Sequence, residues 1–230
     1  MVSIKKRNIG IFGTSANPLH EGHIAMAESA LAVISSLHEV SLMVTPRSPF
    51  KDQSGYAPVE HRLHLTYLTA KESPRFGDSL KVSEFEVLMK HFGPDNETAT
   101  LLRNYSEMYQ SHQPVWMMGA DNLAELHTWG HWTEIMEKYP VVVFGRSTAL
   151  GTALGSVAAT RYAHVRREPE KFACEPGTWC FLDAVVHPAS STEIRTRILA
   201  GEYPPFVPRS AVEYIREHEL FGYTPTSEAA

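Results

Sequence analysis

The sequence predicts an α/β fold, a doubly wound and mostly parallel sheet. Three observations carry that expectation. A short apolar run, Ile9-Gly10-Ile11-Phe12, ends in small residues and leads into a segment with helical apolar spacing. Strand-length apolar runs then alternate with helical patterns, which calls for parallel strands joined by right-handed crossovers. Near the far end a hydroxyl-rich stretch, Ser190-Ser191-Thr192, opens another helix, with Arg195 one turn in.

The composition bounds the answer. The chain has 230 residues, 43% hydrophobic and 20% charged, enough to bury a full core. That length suits one domain over residues 1–223, with helices at 191–220 and a disordered tail at 224–230. A net charge of −5 excludes a broad nucleic-acid footprint, so any anion site must be local. Two cysteines, Cys174 and Cys180, make neither a disulfide framework nor a CxxC knuckle and read as reduced thiols. Met1–Arg7 is basic, but a strand and glycines follow it, not the apolar core of a leader. No apolar run approaches the ~20 residues that span a bilayer. The expectation is a soluble, cytoplasmic protein with no membrane or nucleic-acid partner; a homo-oligomer stays open.

The first strand covers about Asn8–Phe12. Gly13-Thr14-Ser15-Ala16-Asn17-Pro18 then turns tightly, and His20-Glu21-Gly22-His23 enters a helix carrying Ile24, Ala27, Leu31 and Ile34 on one face. A strand, a small-residue turn and a helix N-terminus make a phosphate cradle. Val40–Val44 is the second strand. Thr45-Pro46-Arg47-Ser48-Pro49-Phe50-Lys51 is a loop at its carboxyl end, where ligands bind in open α/β sheets. Pro58 starts a helix with Arg62, Leu65 and Leu68 along it. Leu80–Leu88 alternates and reads as a third strand.

After a loop at 91–96, a helix runs from about Glu97 to Ser111, with the Thr98 hydroxyl in its first turn. Thr98 either faces a ligand or helps cap the helix. Pro114–Met118 is the fourth strand, closed by Gly119-Ala120-Asp121. Asp121 either accepts from a ribose or caps the next helix. Trp129 and Trp132 follow, three apart, where one can stack on a flat ring while the other packs in the core. Tyr139–Phe144 is the fifth strand and leads to Arg146. From Thr148 to Pro176 the pattern degrades into one helix and an exposed loop, with a solvated charge run. Phe181–Val186 is the sixth strand. The helix from Ser191 to about Ala200 presents hydroxyls, free N–H groups and its positive end, with Arg195 able to reach the same anion. Ala211–Leu220 is a last short helix.

Gly13, Thr14, Asn17, Pro18, His20, Gly22 and His23 together resemble the Gly-rich turn and His-x-Gly-His signature of the nucleotidylyltransferase superfamily. Ser190-Ser191-Thr192-x-x-Arg195 resembles its second signature, with Ala189 in place of a leading isoleucine. The departures are Ala16, where the family usually carries phenylalanine, and Phe50, where a histidine is common. Gly-Ala-Asp-Asn-Leu followed by His-x-Trp-x-x-Trp resembles the branch that adenylylates nicotinate mononucleotide. The resemblance implies a Rossmann-like sheet and adenylyl transfer from ATP, with Mg²⁺ held mainly by ATP phosphates. It implies His20, His23 and Arg195 as catalytic residues. It implies ATP contacts at Gly13, Thr14, Lys51, Gly119, Asp121, Ser190, Ser191 and Thr192. The mononucleotide would meet Ser15, Asn17, Lys51, Thr98, Trp129 and Arg146, its nicotinate ring lying on Trp129. Arg62 also matches an arginine of the family, and with it a ligand contact is open.

Other classes fit less well. A histidine pair suits zinc in a hydrolase, but no third ligand stands at a fixed spacing. A class I aminoacyl-tRNA synthetase fragment shares His-x-Gly-His, yet the chain is short, acidic and without a lysine-serine-lysine loop. Phosphopantetheine and cytidylyl transferases lack the tryptophan block. A non-catalytic nucleotide sensor and an adenylyltransferase for the amide mononucleotide or another phosphorylated acceptor stay as alternatives.

Overall fold

The computed structural model describes residues 6–46, 55–89, 97–145, 147–183 and 187–224. Seven strands among them form one sheet: β1 (Arg7–Thr14), β2 (Glu39–Val44), β3 (Leu80–Ser83), β4 (His112–Gly119), β5 (Val141–Gly145), β6 (Arg166–Arg167) and β7 (Trp179–Asp183). Their order is β3-β2-β1-β4-β5-β7-β6, and every pair is parallel. The connection reverses direction at β1, which lies between β2 and β4. Open sheets bind ligands at such a switch point, outside the strand carboxyl ends.

Side chains alternate across the sheet with period two. Ile9, Ile11, Met43, Trp116, Met118, Val141, Val143 and Phe181 enter one core layer. Phe12, Val40, Leu42, Val115, Met117, Val142, Phe144 and Leu182 enter the other. Both faces are apolar, which is why these strands read as continuous hydrophobic runs.

The helices cover both faces. In chain order they are α1 (Glu21–Val33), α2 (Val59–Ala70), α3 (Phe85–Met89), α4 (Thr98–Met108), α5 (Ala120–Glu125), α6 (Trp132–Lys138), α7 (Ser147–Leu154), α8 (Val157–Arg161), α9 (Ser191–Leu199) and α10 (Arg209–Glu217). Buried residues of α3, α4, α5, α6 and α8 join the first layer, while Ala27 and Ala30 of α1 join the second. Ile194 and Ile198 of α9 and Ala211, Val212 and Ile215 of α10 close a third cluster with Leu65 of α2.

Three stretches differ from expectation. Leu80–Leu88 is not one strand: β3 stops at Ser83, whose hydroxyl accepts the Phe85 N–H at 3.2 Å and starts α3. The region 148–176 holds α7, α8 and the two-residue β6 instead of one helix and a loop. Its Phe172 and Cys174 are buried against β7, so the charge run covers core rather than a detached loop. The sixth predicted strand appears as β7 and begins earlier, at Trp179; residues 184–186 and the tail from 225 lie outside the described residues. Among the described residues no helix is long and apolar enough to cross a membrane. Cys174 and Cys180 are buried free thiols.

Candidate active site

The strand ends line up at one edge. Thr14 pairs with Val44, Gly119 with Phe144, and Gly145 with Asp183. The turn after β1 starts here. The Thr14 hydroxyl accepts the Ala16 N–H at 3.2 Å, and Ala16 takes a positive φ of 47° with its side chain buried in the core. A Cβ on Gly13 would lie 2.8 Å from Trp116 Cη2, so its smallness admits an indole from β4.

The turn delivers His20 to the N-cap of α1, in extended conformation. Its backbone N–H points to His23 Nδ1 at 3.4 Å, and the two rings lie 4.0 Å apart. With Nδ1 accepting, a neutral His23 carries its proton on Nε2. The His20 ring is buried, and its Nδ1 has no hydrogen-bond partner. Burial, and then the charge of nearby His187, hold its pKa down at about 4. His20 is therefore neutral at physiological pH. Gly22 leaves the space for both rings: a Cβ there would sit 3.0 Å from His20 Nδ1 and 3.4 Å from His187 Nδ1.

The second helix N-terminus arrives beside the first. Ser190 caps α9 in extended conformation. Ser191 Oγ donates to the Pro18 carbonyl at 3.0 Å. Arg195 Nη1 donates to the Asn17 carbonyl at 2.7 Å, and Nη2 to Thr192 Oγ1 at 3.3 Å. The imidazole pair, the hydroxyl run and the guanidinium thus share one edge, with two helix dipoles converging on it.

Other predicted residues fall out differently. Asn17 is buried, and its amide donates to Gly55 O at 3.0 Å while Oδ1 accepts the Ala57 N–H at 3.1 Å. Its side chain ties the turn to the segment before α2. Arg62 is 2% exposed, and its guanidinium donates to four backbone carbonyls. Beside it, burial pushes the Glu86 carboxyl up to about 8, against the pull of Thr45 and Arg62. Ser15 offers its hydroxyl near the Tyr56 phenol at 3.5 Å. Gly119 caps α5, and the Asp121 carboxylate folds back against it. Thr98 is the first residue of α4. Trp129 is half-buried against the first core layer, while Trp132 meets Tyr162 edge-on, with Arg161 stacked over it at 5.3 Å. Gly130, next to Trp129, lies against the Glu97 carboxylate. Lys51, Phe50 and Arg146 lie outside the described residues.

Sequence reasoning missed His187. Its Nδ1 accepts the Ala189 N–H at 3.2 Å, its ring meets Phe206 edge-on, and Nε2 lies 3.8 Å from the Glu21 carboxylate. It joins the first turn of α1 to the lead-in of α9. A lone His-Pro after a strand carries no signal of that position.

Residues 11–197 match the family described as cytidylyltransferase-like. The chain belongs to this family. Within it, a Caulobacter sp. protein described as a probable nicotinate-nucleotide adenylyltransferase is 34% identical over 197 residues, covering 84% of this chain and 99% of the relative. A Brucella abortus protein of the same description is 35% identical over 193 residues, covering 81% and 93%. Among solved structures, the Plasmodium falciparum nicotinic acid mononucleotide adenylyltransferase complexed with NaAD superposes with a TM-score of 0.69 at 13% identity, covering 95% of this chain and 98% of that one. At that identity the likeness establishes the fold, a Rossmann-like nucleotidylyltransferase sheet.

Proposed function

We propose that this protein transfers the adenylyl group of ATP to nicotinate mononucleotide, giving deamido-NAD and pyrophosphate in NAD biosynthesis. The observation that carries the reading is the convergence of two helix N-termini, from α1 and α9, on the turn after β1. Its similarity to relatives described as nicotinate-nucleotide adenylyltransferases points to the acid mononucleotide.

The chemistry follows from the donors present. An oxygen of the mononucleotide 5′-phosphate attacks the α-phosphorus in line. One P–O bond forms, the bond to the β-phosphate oxygen breaks, and pyrophosphate leaves with that electron pair. The attacking phosphate is already anionic, so the protein need not remove a proton. Its work is positioning and charge stabilisation. His20, neutral, donates a single N–H to a phosphate oxygen, and His23 donates beside it. Arg195 supplies a fixed positive charge, and its bond to Asn17 holds it facing the edge. Ser190, Ser191 and Thr192 add hydroxyls and free amides at the positive end of α9. Trp129 offers a face for the nicotinate ring.

Mg²⁺ would neutralise phosphate charge when bound. The donors described at this edge are imidazoles, hydroxyls and a guanidinium, which suit phosphate better than a hard cation. The fit is to an ion carried on the triphosphate's own oxygens and water. The test is an ATP-dependent assay of purified protein with the acid and amide mononucleotides side by side, reading pyrophosphate and the dinucleotide product. Faster turnover of the acid supports the reading. Pyrophosphate release with neither mononucleotide overturns it.

A further inference from the structure

We propose that Arg62 is a positioning residue that sets the spacing between the turn after β1 and the carboxyl end of β2 at Thr45 and Pro46. Its guanidinium is buried at 2% exposure. Four of its five N–H groups are engaged by carbonyls from three separate segments. Nη1 donates to Ser15 O at 2.7 Å and to Thr45 O at 2.8 Å. Nη2 donates to Pro46 O at 2.8 Å, and Nε to Ala57 O at 2.9 Å. Ser15 lies in the turn that carries the imidazoles, and Thr45 and Pro46 continue β2 past its carboxyl end. Ala57 lies just before α2, where Asn17 also holds Gly55 and Ala57.

The turn after β1 is therefore gripped from both sides by guanidinium groups. Arg195 takes its Asn17 carbonyl from α9, and Arg62 takes its Ser15 carbonyl from α2. Each grip acts on backbone, so it moves every side chain of the turn together. Only a planar fork of several donors can reach these carbonyls from one buried point; a lysine ammonium is a compact charge with three donors. Misplacement by about 1 Å at a reacting phosphate costs on the order of 10²-fold in rate. That makes spacing a catalytic matter.

The inference rests on the adenylyl-transfer reading. The test compares Arg62→Lys with the parent after both are shown folded by circular dichroism. A rise in KM for the mononucleotide of roughly tenfold or more is expected, because the turn is displaced. Loss of folded enzyme alone would lower apparent kcat and leave KM unchanged. In Arg62→Ala, methylguanidinium added to the vacated space is expected to restore activity, and methylammonium is not. A folded Arg62→Lys with parental KM for both substrates overturns the proposal, as does an Arg62→Ala variant that folds and ignores methylguanidinium. If Arg62→Ala does not fold, Arg62→Lys decides. An inactive parent overturns the adenylyl-transfer reading and this one together; an active parent with an unaltered Arg62→Lys overturns this one alone.

Discussion

The Arg195 guanidinium donates to the backbone carbonyl of Asn17 at 2.7 Å, across 178 residues of chain. One position later, the Pro18 carbonyl accepts from Ser191. Two consecutive carbonyls of the first signature thus form the seat of the second. A charge-assisted bond to a carbonyl is stronger than a neutral one, so the arginine both stays oriented and keeps α9 in place. The imidazole pair and the late arginine are held at one site by backbone.

His20 is expected to be the most sensitive imidazole. Its replacement by alanine removes a neutral donor from a buried position where the proposed mechanism puts the phosphates. Turnover should fall by roughly 10²-fold or more, with folding intact. Steady-state kinetics with saturating ATP measures this, and unchanged turnover removes His20 from the mechanism.

Arg195→Lys keeps the charge and loses the fork. It cannot bond Asn17 and Thr192 as the guanidinium does, and it binds phosphate as a point charge. Turnover should drop about 10- to 100-fold, and KM for ATP should rise. Parental kinetics in this variant would show that orientation at this position is unimportant.

Burial of His20 also sets a pH dependence of stability. Its folded pKa of about 4 lies below the ordinary 6.5, so between those values the unfolded chain binds the extra proton. Stability contributed by this group is present above the ordinary value and lost as pH falls through the folded one. Going from neutral pH to about pH 5 should cost the parent about 1–2 kcal/mol more than it costs His20→Asn. Urea denaturation of the two proteins at both pH values decides it; parallel losses refute the assignment.

Two glycines should respond oppositely to alanine. At Gly13 the new methyl meets the buried Trp116 ring at 2.8 Å, between two strands of the sheet. Overpacking there should destabilise by about 1–3 kcal/mol. At Gly130 the methyl overlaps the Glu97 carboxylate, a side chain 42% exposed and able to swing aside. That variant should stay within about 0.5 kcal/mol of the parent. Thermal melts of the pair test the contrast.

Much of this was legible in sequence, for reasons that differ by residue. The period-two and helical spacings exposed the strands and helices around them because both sheet faces are buried. His20, His23, Ser190, Ser191, Thr192 and Arg195 stand out in sequence because each group sits within a turn of a helix start, and the structure gathers the two groups at one edge. The resemblance implies a mononucleotide contact for Asn17 and leaves one open for Arg62; neither reading anticipates the backbone partners their side chains hold. Their partners are backbone carbonyls and amides, which every residue has and which leave no trace in sequence. His187 was missed for a similar reason, since its place beside Gly22 depends on the path of the chain after β7.

By itself the sequence determined the alternating architecture, the two hydroxyl- and imidazole-bearing helix starts and the residue types available for phosphate. Those properties depend on neighbours a few positions away, within one turn or one pleat. Tertiary structure alone decided that the two starts meet, that His20 is neutral, and that Arg62 faces inward to three turns. Burial and backbone partners come from segments far apart in the chain, and only the folded sheet brings those segments within hydrogen-bond reach.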